Sequence, residues 1–305
     1  MVCMSRKKSE LAAIEAVVCR DVGRKTQPLI DATRGELGAA SSSLLQAKSV
    51  GLITGFFVPR DGVMAPETDG PVGTALLAAS LAACGVPVRI AVDSPCADVV
   101  RMAVREAGGN VGVDEVGVDD RPGIDRVVDA WRHSGTSHVV AIERCGLARD
   151  GRPRNMRGVD VSPWTAPLDN LFCGGPWVRI GVGDGGNEIG MGKLPADLIA
   201  AAVPNGERIA CVTGCDHLVV AGVSNWGAYG LMAALAFLRE NWAPKIAKFL
   251  TAERDLRITR ALAEDIGAVD GVTGRREATV DGFKSEVHAA VIDELRRIAW
   301  GKAAD

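Results

Sequence analysis

The chain has 305 residues, of which 47% are hydrophobic and 24% charged, and this ordinary globular composition argues against disorder. A net charge of −3 and an aromatic content of 4% favour neither a nucleic-acid nor a membrane partner. The eight cysteines form no C-x-x-C pair, and no stretch approaches the ~18 apolar residues of a membrane span. We therefore expect a cytoplasmic protein with reduced thiols.

Strand-like and helix-like segments alternate along the chain. Strands are predicted at 52–58, 86–92, 111–116, 137–143, 177–183 and 208–214. Helices are predicted at 9–20, 36–48, 71–84, 96–107, 123–134, 225–240, 251–267 and 284–300. This alternation predicts an α/β fold, with a mostly parallel, Rossmann-like three-layer sheet, helices on both faces and a C-terminal helical cover. We interpret the chain as one domain, 1–305, with N-terminal helices at 1–50, a sheet core at 51–240 and C-terminal helices at 241–305.

Acidic residues follow four of the predicted strands. They are Glu67 and Asp69 after the first strand, Glu143 after the fourth, Asp184 after the fifth and Asp216 after the sixth. Ligands of open α/β sheets bind beyond the carboxyl ends of the strands, and these ends meet at one edge. Loops are polar even where they have no function. Four acidic loops at one edge nevertheless favour a single small-molecule site.

The loop at 183–192 carries five glycines around Asp184, Asn187 and Glu188. Glycines such as Gly185 and Gly186 let the backbone approach a ligand closely, and the carboxylate oxygens suit Mg²⁺ or Mn²⁺. The loop also matches G-x-G-x-x-G, but the charge of Asp184 has the wrong sign for a pyrophosphate. A metal site is therefore favoured over a dinucleotide site.

Each of the other candidates has a functional and a structural interpretation. Glu67 and Asp69 lie in a stiff turn and are either metal ligands, an acid–base pair, or the N-terminal cap of the next helix. Glu143 is either catalytic or paired with the adjacent Arg144. Arg157 either binds a carboxylate or phosphate, or pairs with a loop acid.

Several motifs together resemble the D-glutamate cyclase C-terminal-like family. They are PETDGP (66–71), ER-x-G (143–146), NMRG (155–158), GDGGNEIGMG (183–192), CDH (215–217) and two Val-Asp-Gly segments (269–271 and 280–282). The similarity covers about residues 50 to 300. It implies a divalent metal site and an enzyme. Members of the family include a protein that converts D-glutamate to 5-oxo-D-proline with loss of water and relatives that look like manganese-dependent phosphatases.

The resemblance leads us to expect a metal-assisted enzyme that acts on a small acidic metabolite, in the manner of D-glutamate cyclase. The expected metal ligands, for Mn²⁺ or Mg²⁺, are Glu67, Asp69, Asp184 and Glu188. The expected catalytic residues are Glu143 and Asp216. The expected substrate contacts are Asn155, Arg157, Gly185, Gly186, Ser224 and Asn225. A manganese-dependent phosphatase and a non-catalytic ligand-binding domain are the alternatives, and the small-residue helix at 225–236 would suit packing against a second copy.

Overall fold

A computed structural model describes residues 2–60 and 62–301, apart from the side chains of residues 2–6, 60 and 63. The strands are β1 (Val50–Ile53), β2 (Phe57–Arg60), β3 (Val63–Pro66), β4 (Val88–Asp93), β5 (Gly112–Val116), β6 (His138–Ile142), β7 (Val178–Gly183) and β8 (His217–Val220). The helices are α1 (Val2–Val18), α2 (Gln27–Ala32), α3 (Glu36–Leu44), α4 (Pro71–Ala83), α5 (Ala97–Ala107), α6 (Arg121–His133), α7 (Asp169–Phe172), α8 (Ala196–Ala202), α9 (Gly206–Ile209), α10 (Ser224–Leu238), α11 (Ala243–Ile246), α12 (Ala252–Arg260) and α13 (Ser285–Trp300).

Six parallel strands form the main sheet in the order β5-β4-β1-β6-β7-β8. In the centre, Val50 of β1 pairs with Val88 of β4 on one side and His138 of β6 on the other. The chain runs outward from β1 to β5 and then restarts at β6, so the direction of winding reverses between β1 and β6. Such a reversal opens a crevice at the carboxyl ends of these two strands. The predicted α/β fold with a mostly parallel sheet is confirmed.

Helices cover both faces of the sheet. The larger core lies between the sheet and a layer that includes α4, α5 and α10. A second core forms on the opposite face, where Trp131 of α6 packs directly on the middle of β1. A Cβ at Gly51 would come within 2.1 Å of the Trp131 ring, so only glycine fits beneath the indole. The C-terminal helices α12 and α13 pack against the first layer, as the predicted cover requires.

Three sequence predictions were wrong. Residues 208–214 are not a strand, because 206–209 form α9 and the last strand, β8, begins only at His217. The apolar run 52–58 is split between β1 and an antiparallel hairpin, β2–β3. The helix at 225–236, which was expected to suit packing against a second copy, is buried inside the chain from Ser224 to Ala236 and packs on α4, while a homo-oligomer stays a prediction.

Two further predictions concern the cysteine thiols and the membrane-spanning segments. All seven cysteines with described side chains are free thiols, while the Cys3 side chain lies outside the described residues. Among the described helices, none combines the length and the apolar character needed to cross a bilayer.

Helices α4 and α10 cap each other's N-termini. Asp69, just before α4, accepts hydrogen bonds from the backbone N–H groups of Ser224 (3.0 Å) and Asn225 (2.8 Å) at the start of α10. In return, Asn225 Oδ1 accepts from the backbone N–H groups of Gly70 (3.0 Å) and Gly73 (2.7 Å). These contacts satisfy N–H groups that a helix start leaves unpaired. They fix both helices at the carboxyl edge of the sheet.

We expect Asn225→Ala to lower the free energy of unfolding by about 1–3 kcal/mol, because the buried Gly73 N–H would lose its acceptor. Urea-induced unfolding measures the change. The same substitution at the exposed Asn241 is the control and should cost less than about 0.5 kcal/mol. Equal effects at the two positions would contradict the capping role.

Candidate acidic site at the carboxyl edge of the sheet

A cavity of about 380 Å³ lies beyond the carboxyl ends of β1 and β6. An apolar wall comes from the hairpin region, with Phe56, Val58 and Pro59. The acidic lining residues are Glu67, Glu143, Asp184 and Asp281, and the basic ones are Arg24, Lys25 and Arg157. Acids from several loops therefore meet at the crevice that the strand order creates.

Glu143 directly follows β6 and adopts a left-handed backbone conformation, with φ of +43°. Its Oε2 accepts a 2.6 Å hydrogen bond from the Ser224 hydroxyl at the start of α10. Burial, followed by the charges of Asp184 and Glu188, raises the pKa of Glu143 well above its usual value. A carboxyl group of this kind retains its proton at a higher pH and suits general acid catalysis.

Three aspartates from distant parts of the chain converge beside Glu143. Carboxylate oxygens of Asp69, Asp184 and Asp281 lie within 4.8 Å of one another. Arg24 contacts two of them, with Nη1 2.7 Å from Asp184 Oδ2 and Nη2 2.8 Å from Asp281 Oδ2. Burial alone would lower the pKa of Arg24, but the charges of Asp184 and Asp281 outweigh it and raise that pKa. The Arg24 guanidinium therefore stays positively charged and neutralises part of the negative charge of the aspartate cluster.

Glu188 organises the glycine-rich loop. Its Oε1 accepts hydrogen bonds from the backbone N–H groups of Asp184 (2.8 Å) and Gly185 (2.6 Å), and its Oε2 accepts from Gly186 (2.7 Å). Gly186 has a φ of +101°, and a Cβ at Gly185 would lie 2.6 Å from the Met156 sulfur. The loop therefore wraps around an internal carboxylate, and the N–H groups expected to contact substrate already serve Glu188.

The two Val-Asp-Gly segments near the C-terminus complete the site. Val269 forms a bridge with Glu67, and a Cβ at Gly271 would lie 2.0 Å from Glu67 Oε2. Asp270 joins the two segments, because its Oδ2 accepts a 2.7 Å hydrogen bond from a backbone N–H in the second one. Asp281 then takes a left-handed conformation, with φ of +55°, within the aspartate cluster. The first Asp has a structural role, and the second contributes its carboxylate to the site.

Of the remaining predicted residues, Asn155 and Arg157 lie at the cavity, whereas Asp216 lies away from it. Asn155 Oδ1 accepts 3.0 Å hydrogen bonds from the backbone of Arg157 and Val159, and this turn places Arg157 at the cavity. Asp216 precedes β8 and accepts a 2.8 Å hydrogen bond from the Arg179 backbone at the opposite, amino edge of the sheet. Its prediction as general base was wrong, because it depended on the mistaken strand at 208–214.

Sequence reasoning missed two residues of the site. One sequence feature could have pointed to Asp281, because it lies in the second Val-Asp-Gly segment, which is similar to the first, although it follows no predicted strand. No sequence feature pointed to Arg24, since it lies in the turn between α1 and α2, far from the polar loops in sequence.

The donor set fits a divalent cation. Burial is the main cause that raises the pKa values of Glu67, Asp69 and Asp184, and the charge of Asp281 raises all three further. Asp184 Oδ2 and Asp281 Oδ2 are buried and have no well-oriented hydrogen-bond donor among the described residues, although Arg24 lies close by. Several hard oxygen donors with excess negative charge are what Mg²⁺ or Mn²⁺ prefers.

The fold and the site together define a doubly wound α/β protein with an acidic ligand cavity at its switch point. A family model described as D-glutamate cyclase-like, C-terminal, matches residues 14–296, and the chain belongs to that family. A relative, the mitochondrial D-glutamate cyclase of Homo sapiens, is 35% identical over 230 aligned residues. The match covers 67% of this chain and 35% of the relative, so the chain corresponds to about a third of that protein.

We expect Glu67→Gln to stabilise the metal-free protein by about 1–2 kcal/mol near neutral pH, because it removes one buried carboxylate from a crowded acidic site. The folded pKa of Glu67 is raised. The favourable contribution of Glu67 to the free energy of unfolding is therefore complete below its unfolded pKa of about 4.3, and it is lost as the pH rises towards its folded pKa.

The stabilisation should therefore grow as the pH rises above about 4. Denaturant unfolding of the chelator-treated protein at several pH values tests this, with Glu240→Gln as an exposed control. A Gln variant that is less stable than the wild type at neutral pH would show that the Glu67 carboxylate is well compensated.

Proposed function

We propose that this chain is a metal-assisted lyase of the D-glutamate cyclase type, which converts D-glutamate to 5-oxo-D-proline and water. The observation that carries the proposal is the acidic cavity, in which Glu143 with a raised pKa lies beside the aspartate cluster. Family membership and the printed name of the human relative support the choice of reaction. The relative's name includes the word mitochondrial, so a cytoplasmic location stays a prediction.

The cyclisation joins the amino nitrogen of glutamate to its side-chain carboxyl carbon. A C–N bond forms, a C–O bond breaks, and the two protons lost by the ammonium group leave with the oxygen as water. Glu143 suits the proton donor to the departing oxygen, because its raised pKa keeps it protonated. Another carboxylate that lines the cavity, such as Glu67, would accept a proton from the ammonium group when it is ionised.

The charges around the cavity match an amino acid with two carboxylates. The ammonium group fits against the acids, while Arg157 and Lys25 line the cavity and can pair with a carboxylate. A divalent ion held by Asp184 and Asp281 would act as a Lewis acid on the side-chain carboxylate. The apolar wall at Phe56 and Val58 would limit the access of water to the reacting groups.

A manganese-dependent phosphatase is the second candidate function. The same acids would hold the ion, and Arg157 at the rim of the cavity would bind the phosphate group. A non-catalytic ligand-binding domain is the third candidate. The three are separated by the product formed, since a phosphatase releases phosphate from an aryl phosphate and a binding domain turns over neither compound.

We expect Asp184→Asn to lower kcat for 5-oxo-D-proline formation by about 10²–10⁴-fold while the protein stays folded. The matched control is Asp216→Asn, the same change at the opposite edge of the sheet, which should retain activity. Chromatographic detection of 5-oxo-D-proline with Mn²⁺ or Mg²⁺ present measures both, and circular dichroism checks the fold.

Full turnover by Asp184→Asn would overturn the assignment of the site. Release of phosphate from an aryl phosphate, with no 5-oxo-D-proline from D-glutamate, would replace the lyase with the phosphatase.

A further inference from the structure

Arg24 is held in position by a rigid turn. Asp21 Oδ1 accepts a 2.9 Å hydrogen bond from the Arg24 backbone, and the flanking Gly23 and Lys25 both have left-handed backbones, with φ of +95° and +67°. The turn rests on the segment before α10, where a Cβ at Gly222 would lie 2.6 Å from the carbonyl oxygen of Arg20. The Arg24 backbone is therefore fixed relative to the site, and the adaptable part is the side chain.

The Arg24 guanidinium pairs with its aspartates through charge more than through directed hydrogen bonds. The distances to Asp184 (2.7 Å) and Asp281 (2.8 Å) are short. Yet Arg24 Nη2 and the two carboxylate oxygens it approaches have no well-oriented hydrogen-bond partner among the described residues. The side chain is 23% exposed and lines the cavity, so it has space into which it can move.

We propose that Arg24 is an internal counter-ion of the aspartate cluster, and that a divalent cation must displace its guanidinium to bind Asp184 and Asp281. The inference rests on the metal-assisted function proposed above. An ion that binds these two oxygens would lie against the guanidinium, and two cations at such a distance repel each other strongly. Arg24 therefore keeps the metal-free site electrically balanced and lowers its apparent affinity for the ion.

The size of this effect follows from competition. The apparent dissociation constant equals the intrinsic one divided by the fraction of molecules in which Arg24 has left the cluster. If the guanidinium occupies the cluster about nine-tenths of the time, its removal tightens binding about tenfold.

Calorimetric titration of the chelator-stripped protein with Mn²⁺ tests the proposal. We expect Arg24→Gln to bind Mn²⁺ about tenfold more tightly than the wild type. Lys25→Gln removes the same charge from the same cavity, without removing the guanidinium from the two aspartates, and should change the affinity less than about threefold. Thermal unfolding should show that metal-free Arg24→Gln melts below the wild type and that Mn²⁺ reverses the difference.

Arg24→Lys supplies a folded comparison if Arg24→Gln folds poorly, and a double-mutant cycle with Asp281→Asn tests whether Arg24 and the ion compete for the same ligand. Arg24→Lys retains the charge and should stay folded, with an affinity near that of the wild type. The gain in Mn²⁺ affinity from Arg24→Gln should shrink in the Asp281→Asn background, because one of the two contested ligands is then absent.

Equal Mn²⁺ affinities for the wild type and Arg24→Gln would overturn the displacement while leaving the metal site in place. No Mn²⁺ binding by either protein would overturn the displacement and the metal assistance together. In that case, 5-oxo-D-proline formation by the metal-free enzyme would show whether the proposed reaction survives.

Discussion

Burying several carboxylates in one place costs free energy unless each of them is compensated, and this constraint shapes the carboxyl edge of the sheet. Different buried carboxylates of the site are compensated by different groups. Glu188 is surrounded by backbone N–H groups of its own loop, and Asp69 accepts those at the start of α10. Asp184 Oδ2 and Asp281 Oδ2 face the Arg24 guanidinium instead, and neither oxygen has a well-oriented hydrogen-bond donor in the part of the chain that the structure describes. The first two acids are therefore structural, whereas the second two remain open to exchange.

The fold supplies the positions that this arrangement needs. Reversal of the winding between β1 and β6 opens the crevice, and the mutual caps of Asp69 and Asn225 fix the two helices whose first turns border it. The hairpin after β1 supplies the apolar wall, and the two late Val-Asp-Gly segments close the site from the C-terminal part of the chain. Residues that are distant in sequence thus meet in one cavity.

The sequence was sufficient to predict the parallel sheet and to place Glu143 and Asp184 at one edge, because each of these acids follows a strand of that sheet, whereas Glu67 reaches the same edge through the hairpin after β1. It misplaced Asp216, since the run 208–214 has the apolar character of a strand but begins within the short helix α9. The roles of individual side chains were less accessible. Asn225 was expected to bind substrate and instead caps a helix, because capping depends on which two helices become neighbours. Tertiary contacts of this kind leave no local sequence pattern.

The aspartate cluster is, in this view, a cation site whose present cation is Arg24. Anomalous X-ray diffraction from crystals of the protein grown with Mn²⁺ would locate the ion. We expect an anomalous peak between the carboxylates of Asp184 and Asp281, with the Arg24 guanidinium moved towards the cavity. A well-ordered cluster without a peak, in which Arg24 keeps both contacts at a saturating Mn²⁺ concentration, would rule out a cation site at these aspartates.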